Sequence, residues 1–286
     1  MSMPAESQAE RLLSVAPSPA FWVAVAAYVA ATTALFLVLA GRQHQPGSQA
    51  RRNLRPTAIA LVAVALVAHG TDIGWRGTLH VHPAQSVREA IGFLAFIITG
   101  GYLLASVRYR LTIGGVVVMP VALVMLVAAR LSPAGTAPED LSTLGKIHIS
   151  LATVGVGVFA LASALSAIYL VEERALKKKK VDSLAFRDKG TPLEALDRTS
   201  HRLIWVGFPI FTVALILGAV WVAKLGESLD RPEYPLAAVT WLAFAGLLVV
   251  RQVYGWRGRR AARLTLAGFA AAVLVLAIYL IRRIVE

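Results

Sequence analysis

Polar and apolar positions fall in long blocks along the chain, without the two-residue alternation of a half-buried strand. Apolar runs occupy 20–40, 57–75, 88–107, 111–130, 146–171, 201–224, 234–251 and 262–281. Each is close to the ~20 residues an α-helix needs to cross ~30 Å of hydrocarbon, so the pattern predicts eight transmembrane helices rather than buried core helices. The expected fold class is all-α: a polytopic membrane helix bundle whose even number of spans puts both termini on one side. A polar N-terminal segment, 1–19, precedes one transmembrane domain, 20–286.

Composition agrees, because 57% of the 286 residues are hydrophobic and only 16% are charged, and the mean hydropathy is +0.66. No soluble domain of ordinary composition is so apolar. The first 19 residues lack a basic stretch leading into a short apolar core, so no removable signal peptide is expected. With no cysteine in the chain, disulfide, thiol-redox, zinc-thiolate and CxxCH haem-attachment chemistry are excluded.

The net charge of +13 matters through its placement. Of the 29 Lys and Arg residues, 20 fall in alternate connections: 41–56, 108–110, 172–202 and 251–263. The positive-inside rule makes these cytoplasmic and puts both termini outside. The run Lys177 to Lys180 is then a topology anchor touching anionic membrane lipid, and nucleic acid is not an expected partner. The outer connections carry Glu139, Asp140, Glu227, Asp230 and Glu233, and none is long enough for a soluble catalytic domain. Neither an internal repeat nor a low-complexity segment is evident.

Small residues recur in the fifth span at Gly155, Gly157, Ala160, Ser163, Ala164 and Ala167. They let a neighbouring helix approach closely, which predicts a central place for that span. Ser86-Val87-Arg88-Glu89 fits a capping box at the start of the third span.

Six histidines differ mainly in depth. His44 lies in a cytoplasmic connection, and His80 and His82 form an HVH pair in an outer one, read as solvated rather than as a metal clip. His69 lies about 18 Å from the cytoplasmic start of the second span, in the outer half of the hydrocarbon, where a polar group faces the bundle interior. His148 enters the fifth span, KIHISLATVGVGVF, within about two turns of the outer surface. Two such imidazoles serve equally well as ligands of haem iron or another planar tetrapyrrole and as a proton relay. His201, with Arg198 and Arg202, marks the cytoplasmic start of the sixth span, or steadies the propionates of a haem.

The stretches LVAHGTDIGWRG (66–77), SVREAIGFLAF (86–96), KIHISLATVGVGVFALASALSAIYL (146–170), LEALDRTSHRLIWVGFPIFTVALILGAVW (193–221) and WLAFAGLLVVRQVYGWRGRRAARLTLAGFA (241–270) resemble the cytochrome c assembly family of membrane haem-handling proteins. Within that family the chain looks closer to the HemX-like than to the CcsA-like branch. The resemblance implies haem handling in cytochrome c-type biogenesis at the bacterial cytoplasmic (inner) membrane, with haem b as the cofactor. It implies His148 as an axial ligand, since an outward histidine opening this helix has that role in the CcsA-like branch, and His69 as a second. A cytochrome c maturation subunit or a haem-biosynthesis enzyme is the implied protein partner.

Three departures stand out. The tryptophan-rich outer segment of CcsA-like members, WGxxWxWDPKE, is replaced by LGESLDRPEYPL (225–236), which keeps Pro232 and Glu233. A second outer histidine is missing from 271–286, and Val249 stands near where a histidine of the seventh span aligns. The alternatives are a HemX-like effector that regulates a haem-synthesis enzyme through residues 172–200, and a proton-coupled transporter. Asp72 and Glu89 are the acids nearest the membrane, and both lie toward its outer edge, which disfavours transport. No nucleophile–base pair, phosphate loop or carboxylate pair predicts an enzyme.

Overall fold

The computed structural model describes residues 17–40, 49–79, 81–83, 86–108, 111–131, 142–177, 193–226 and 232–285. They form eight α-helices: α1 (Pro19–Ala40), α2 (Gln49–Thr78), α3 (Val87–Arg108), α4 (Thr112–Leu131), α5 (Thr143–Lys177), α6 (Leu193–Leu225), α7 (Glu233–Val253) and α8 (Arg259–Val285). All eight are long and apolar enough to cross a membrane. Among the described residues there is no strand. The predicted spans are all present, and two helices, α2 and α6, begin eight residues before the apolar runs that announce them. Helix α2 starts at Gln49 and carries Pro56 inside it. Helices α5 and α6 hold 35 and 33 residues, about 50 Å each and longer than the hydrocarbon is thick.

The chain divides into two compact units, one comprising residues 1–107 and 115–141 and the other 108–114 and 142–286. In the first, α1 packs along α2, and Tyr28, Leu35, Val62, Thr99 and Met119 are fully buried. Gly115 on α4 lies directly against Tyr102 and Leu35, so a side chain there would overlap both.

In the second unit α5 packs against both α6 and α8, and α7 against the same two, so each of these four helices has two principal neighbours and α5 is not singled out as central. Its contact face differs from the small-residue pattern. Gly155, Gly157 and Ser163 are buried, whereas Ala160, Ala164 and Ala167 are half-buried; Phe159, Ala162 and Ser166 complete the buried face. The phenyl ring of Phe159 stacks on Phe244 at 3.8 Å and meets Phe211 edge-on at 5.5 Å. Between α5 and α6, Ser166 and Ser200 share a hydrogen bond of 2.9 Å, and Ser200 Oγ also reaches the Ala162 carbonyl. Glycine permits this approach: a Cβ on Gly155 would stand 3.1 Å from Phe211 Cβ, and one on Gly207 would stand 2.9 Å from Val158.

The stretch YGWRG closes α7 onto α8 through left-handed glycines, Gly255 (φ 63°) and Gly258 (φ 65°), a conformation that disfavours residues with a Cβ. Asp197 at the start of α6 holds this turn. Its carboxylate accepts from both Arg251 nitrogens, at 3.0 and 2.6 Å, and from the Gly258 N–H at 3.0 Å.

At the start of α3, Ser86 Oγ accepts from the Glu89 N–H at 3.3 Å, which is half of the expected capping box. The Glu89 carboxylate pairs with Arg76 of α2.

Overpacking the α5–α6 seam with Gly207→Leu should lower unfolding stability by about 1–3 kcal/mol. Gly246→Ala on α7, where a Cβ meets nothing within 4 Å, should lower it by less than ~0.5 kcal/mol. Thermal unfolding of both variants in detergent checks the pair.

Candidate functional site

Two histidines are fixed through one ring nitrogen each. His69, on α2 in the first unit, is 1% exposed. Its Nδ1 lies 3.1 Å from Tyr28 Oη on α1, which in turn lies 2.8 Å from Thr99 Oγ1 on α3. Thr99 donates its hydroxyl proton to the Ala95 carbonyl at 2.8 Å. Each hydroxyl has one proton, so Tyr28 donates to Thr99 and must accept from His69. On this assignment Nδ1 carries the proton and Nε2 presents a lone pair, with no partner among the described residues. The chain of bonds ends on a backbone carbonyl, which passes no proton onward. It therefore orients the ring.

His148, on the second turn of α5 in the second unit, reaches the same state by another route. Its Nδ1 lies 2.7 Å from the Ala214 carbonyl of α6. A carbonyl only accepts, so Nδ1 donates and Nε2 is left bare, the arrangement by which a backbone carbonyl fixes the tautomer and orientation of a metal-binding imidazole. Gly218 supplies the room: a Cβ there would stand 2.6 Å from His148 Cε1. Trp221, one turn further along α6, lies 5.9 Å from the imidazole, ring centre to ring centre. The half-buried histidine sits in a notch floored by glycine and flanked by indole.

His201 differs in kind. Its Nε2 accepts from Trp205 Nε1–H at 3.0 Å, and its buried Nδ1 has no partner among the described residues. That leaves His201 a donor and makes it unsuited to iron through Nε2. Arg198 is engaged with Glu194 at 2.5 Å, and Arg202 is exposed. His201 stands about 20 Å along α6 from Ala214, so it shares no ligand site with His148. His69 belongs to the other unit. His82 lies half-buried in the connection after α2, and His44, His80, Glu139, Asp140, Glu227, Asp230 and Lys178 to Lys180 lie outside the described residues. No group of three metal-binding side chains forms among the described residues.

Around His69 the first unit gathers charge of which sequence reading named the acids, Asp72 and Glu89, but not the arginines that pair with them. Asp72 accepts from Arg130 Nη2 at 3.0 and 3.1 Å and from Ser18 Oγ at 2.6 Å. Glu89 pairs with Arg76 and lies 3.7 Å from Arg88 Nε. The Arg130 guanidinium also covers the Phe21 ring at 5.3 Å. Asp72, Arg76, Arg88, Glu89, Arg130 and His69 line a cavity of about 20 Å³, with about 390 Å³ of empty space when its open mouth is included.

Taken together, eight helices long and apolar enough to cross a membrane, with two histidines among them each held through Nδ1, define a polytopic helical membrane protein. The chain belongs to the Cytochrome C assembly protein family, whose profile matches residues 12–286. Its relatives include cytochrome c biogenesis proteins CcsA. The one from Crocosphaera subtropica is 28% identical over 73% of this chain and 80% of the relative. That from Gloeobacter violaceus is 27% identical over 87% of this chain and 88% of the relative, and that from Guillardia theta is 30% identical over 65% and 69%. No solved structure matches the chain. These relatives carry the CcsA name, whereas the departures in the sequence pointed toward the HemX-like branch.

Replacing Tyr28 with Phe removes the acceptor of a buried N–H and should cost about 1–3 kcal/mol of stability. Thr33→Val, which removes an exposed hydroxyl bonded only to its own helix, should cost less than ~0.5 kcal/mol. Denaturation in detergent would separate the two.

Proposed function

We propose that the chain is a haem-handling component of cytochrome c maturation in the bacterial cytoplasmic membrane, with both termini on the outer side. The observation that carries this reading is the His148 Nδ1–Ala214 hydrogen bond, which commits the ring to offering Nε2. Family membership and the CcsA relatives support the same role. Haem b is the cargo, and its iron provides the acceptor for the bare nitrogen. His148 is the first ligand candidate, in the second unit, and His69, whose Nε2 is equally bare, is a separate candidate in the first.

The residues present fit a planar tetrapyrrole. Gly218 makes room for the imidazole ring itself, since a Cβ there would overlap it, and Trp221 offers an aromatic surface next to it. His201, kept as a donor by Trp205, suits a propionate rather than the metal. The chain binds and positions its cargo and performs no bond-breaking chemistry of its own. Without the tryptophan-rich outer segment, presentation of haem to an apocytochrome falls to a partner subunit of the maturation machinery. The effector reading would act through residues 172–200, of which 178–192 lie outside the described residues.

Purified in detergent from haem-replete cells, the wild-type protein should show a Soret band. His148→Ala and Gly218→Leu should each weaken haem retention about tenfold or more, with Gly246→Ala, where a Cβ meets nothing within 4 Å, unchanged. A colourless wild-type protein that also fails to take up added haemin would overturn the reading.

A further inference from the structure

The corner between α7 and α8 carries more arginine than its acids can pair. Arg251 is taken by Asp197, and Arg259 faces Glu173 at 3.8 Å. Arg257, Arg260 and Arg263 are exposed and enter no ion pair among the described residues, and the first turn of α8 holds no acid. The Arg260 guanidinium lies over the Trp256 ring, 5.8 Å from its centre. That contact restrains a long side chain against an indole, the ring suited to the membrane–water boundary. Arg260 and Arg263 also head one exposed line of α8. Steps of three and four residues continue it through Ala267, Ala270 and Leu274, all exposed, so the line is cationic at one end and apolar beyond. From Arg263 to Leu274 it runs about 16 Å, roughly half of the ~30 Å of hydrocarbon and so the depth of one leaflet.

We infer that this line of α8 binds one anionic phospholipid, with its phosphodiester between Arg260 and Arg263 and an acyl chain along the apolar residues beyond them. Residues three apart on a helix are surface neighbours, so the two guanidinium groups can share one phosphate, whose oxygens match their planar forks. The lipid supplies the negative charge that the chain itself does not place there. A zwitterionic headgroup such as phosphocholine brings its own cation beside these arginines, whereas phosphatidylglycerol brings none. Arg257, exposed on the same corner, adds attraction for the anionic headgroup. A soluble phosphate satisfies the arginines and leaves the apolar part of the line unused. The site involves no histidine and stands apart from haem binding.

Native mass spectrometry of the full chain, released from a non-ionic detergent and titrated with dioleoylphosphatidylglycerol or dioleoylphosphatidylcholine, tests the site. The wild type should retain one phosphatidylglycerol in preference to phosphatidylcholine by about thirtyfold, at about fivefold for each of the two arginines. The double variant Arg260→Gln, Arg263→Gln should bring the two lipids to near parity. Arg174→Gln, which removes an exposed arginine from the last turn of α5, should leave the preference in place. Inorganic phosphate should displace no more lipid than sodium chloride of equal ionic strength. Equal retention of the two lipids by the wild type, or a preference that survives the double variant, overturns the inference. So does a preference lost equally in Arg174→Gln, which would spread it over the whole basic face, and so does displacement specific to phosphate, which would make the corner a site for a free anion.

Discussion

An imidazole has two nitrogens, and within an apolar helix bundle the partner of one decides what the other offers. A helix that supplies only an acceptor to one nitrogen forces the proton onto that side. The Ala214 carbonyl does this for His148, and Tyr28, itself held by Thr99 and the Ala95 carbonyl, does it for His69. His201 shows the converse: the Trp205 indole occupies its Nε2 and leaves it a donor. Three residues of one type thereby acquire two chemistries.

The buried ions follow the same logic of satisfied valence. Asp72 with Arg130 and Ser18, and Asp197 with Arg251 and the Gly258 amide, are carboxylates with several donors each. Removing one member of such a set leaves a buried charge exposed to low dielectric, which costs far more than the pair contributes as a unit. Their value in these two units is therefore in fixing which helices meet and in what register.

Much of the architecture was legible in the sequence because the bilayer imposes a length on apolar runs, and eight of them announced eight helices. The ends were not. Polar turns beyond the hydrocarbon, such as 193–200 of α6, carry no apolar signal and are helical because Leu196 and Ser200 pack into the unit. His69 and His148 were found by depth alone. Their partners were not found, since Tyr28 lies 41 positions from His69 and Ala214 contributes only a backbone oxygen 66 positions from His148. Gly218 carried no signal apart from being a glycine among others. Arg130 sits in the last turn of α4, where a basic residue reads as a boundary marker, and only the approach of Asp72 shows it to be interior.

The clasp of Asp197 on Arg251 and on the Gly258 amide has a bearing on how this chain tolerates change. The carboxylate touches a side chain on one side of the YGWRG corner and a main-chain group on the other, so it measures the number of residues between them. Insertion or deletion within 254–258 would carry Gly258 off its oxygen and turn Gly255 out of its left-handed pose. Of the links between helices described here, this corner is the one whose length the protein is least free to vary during descent.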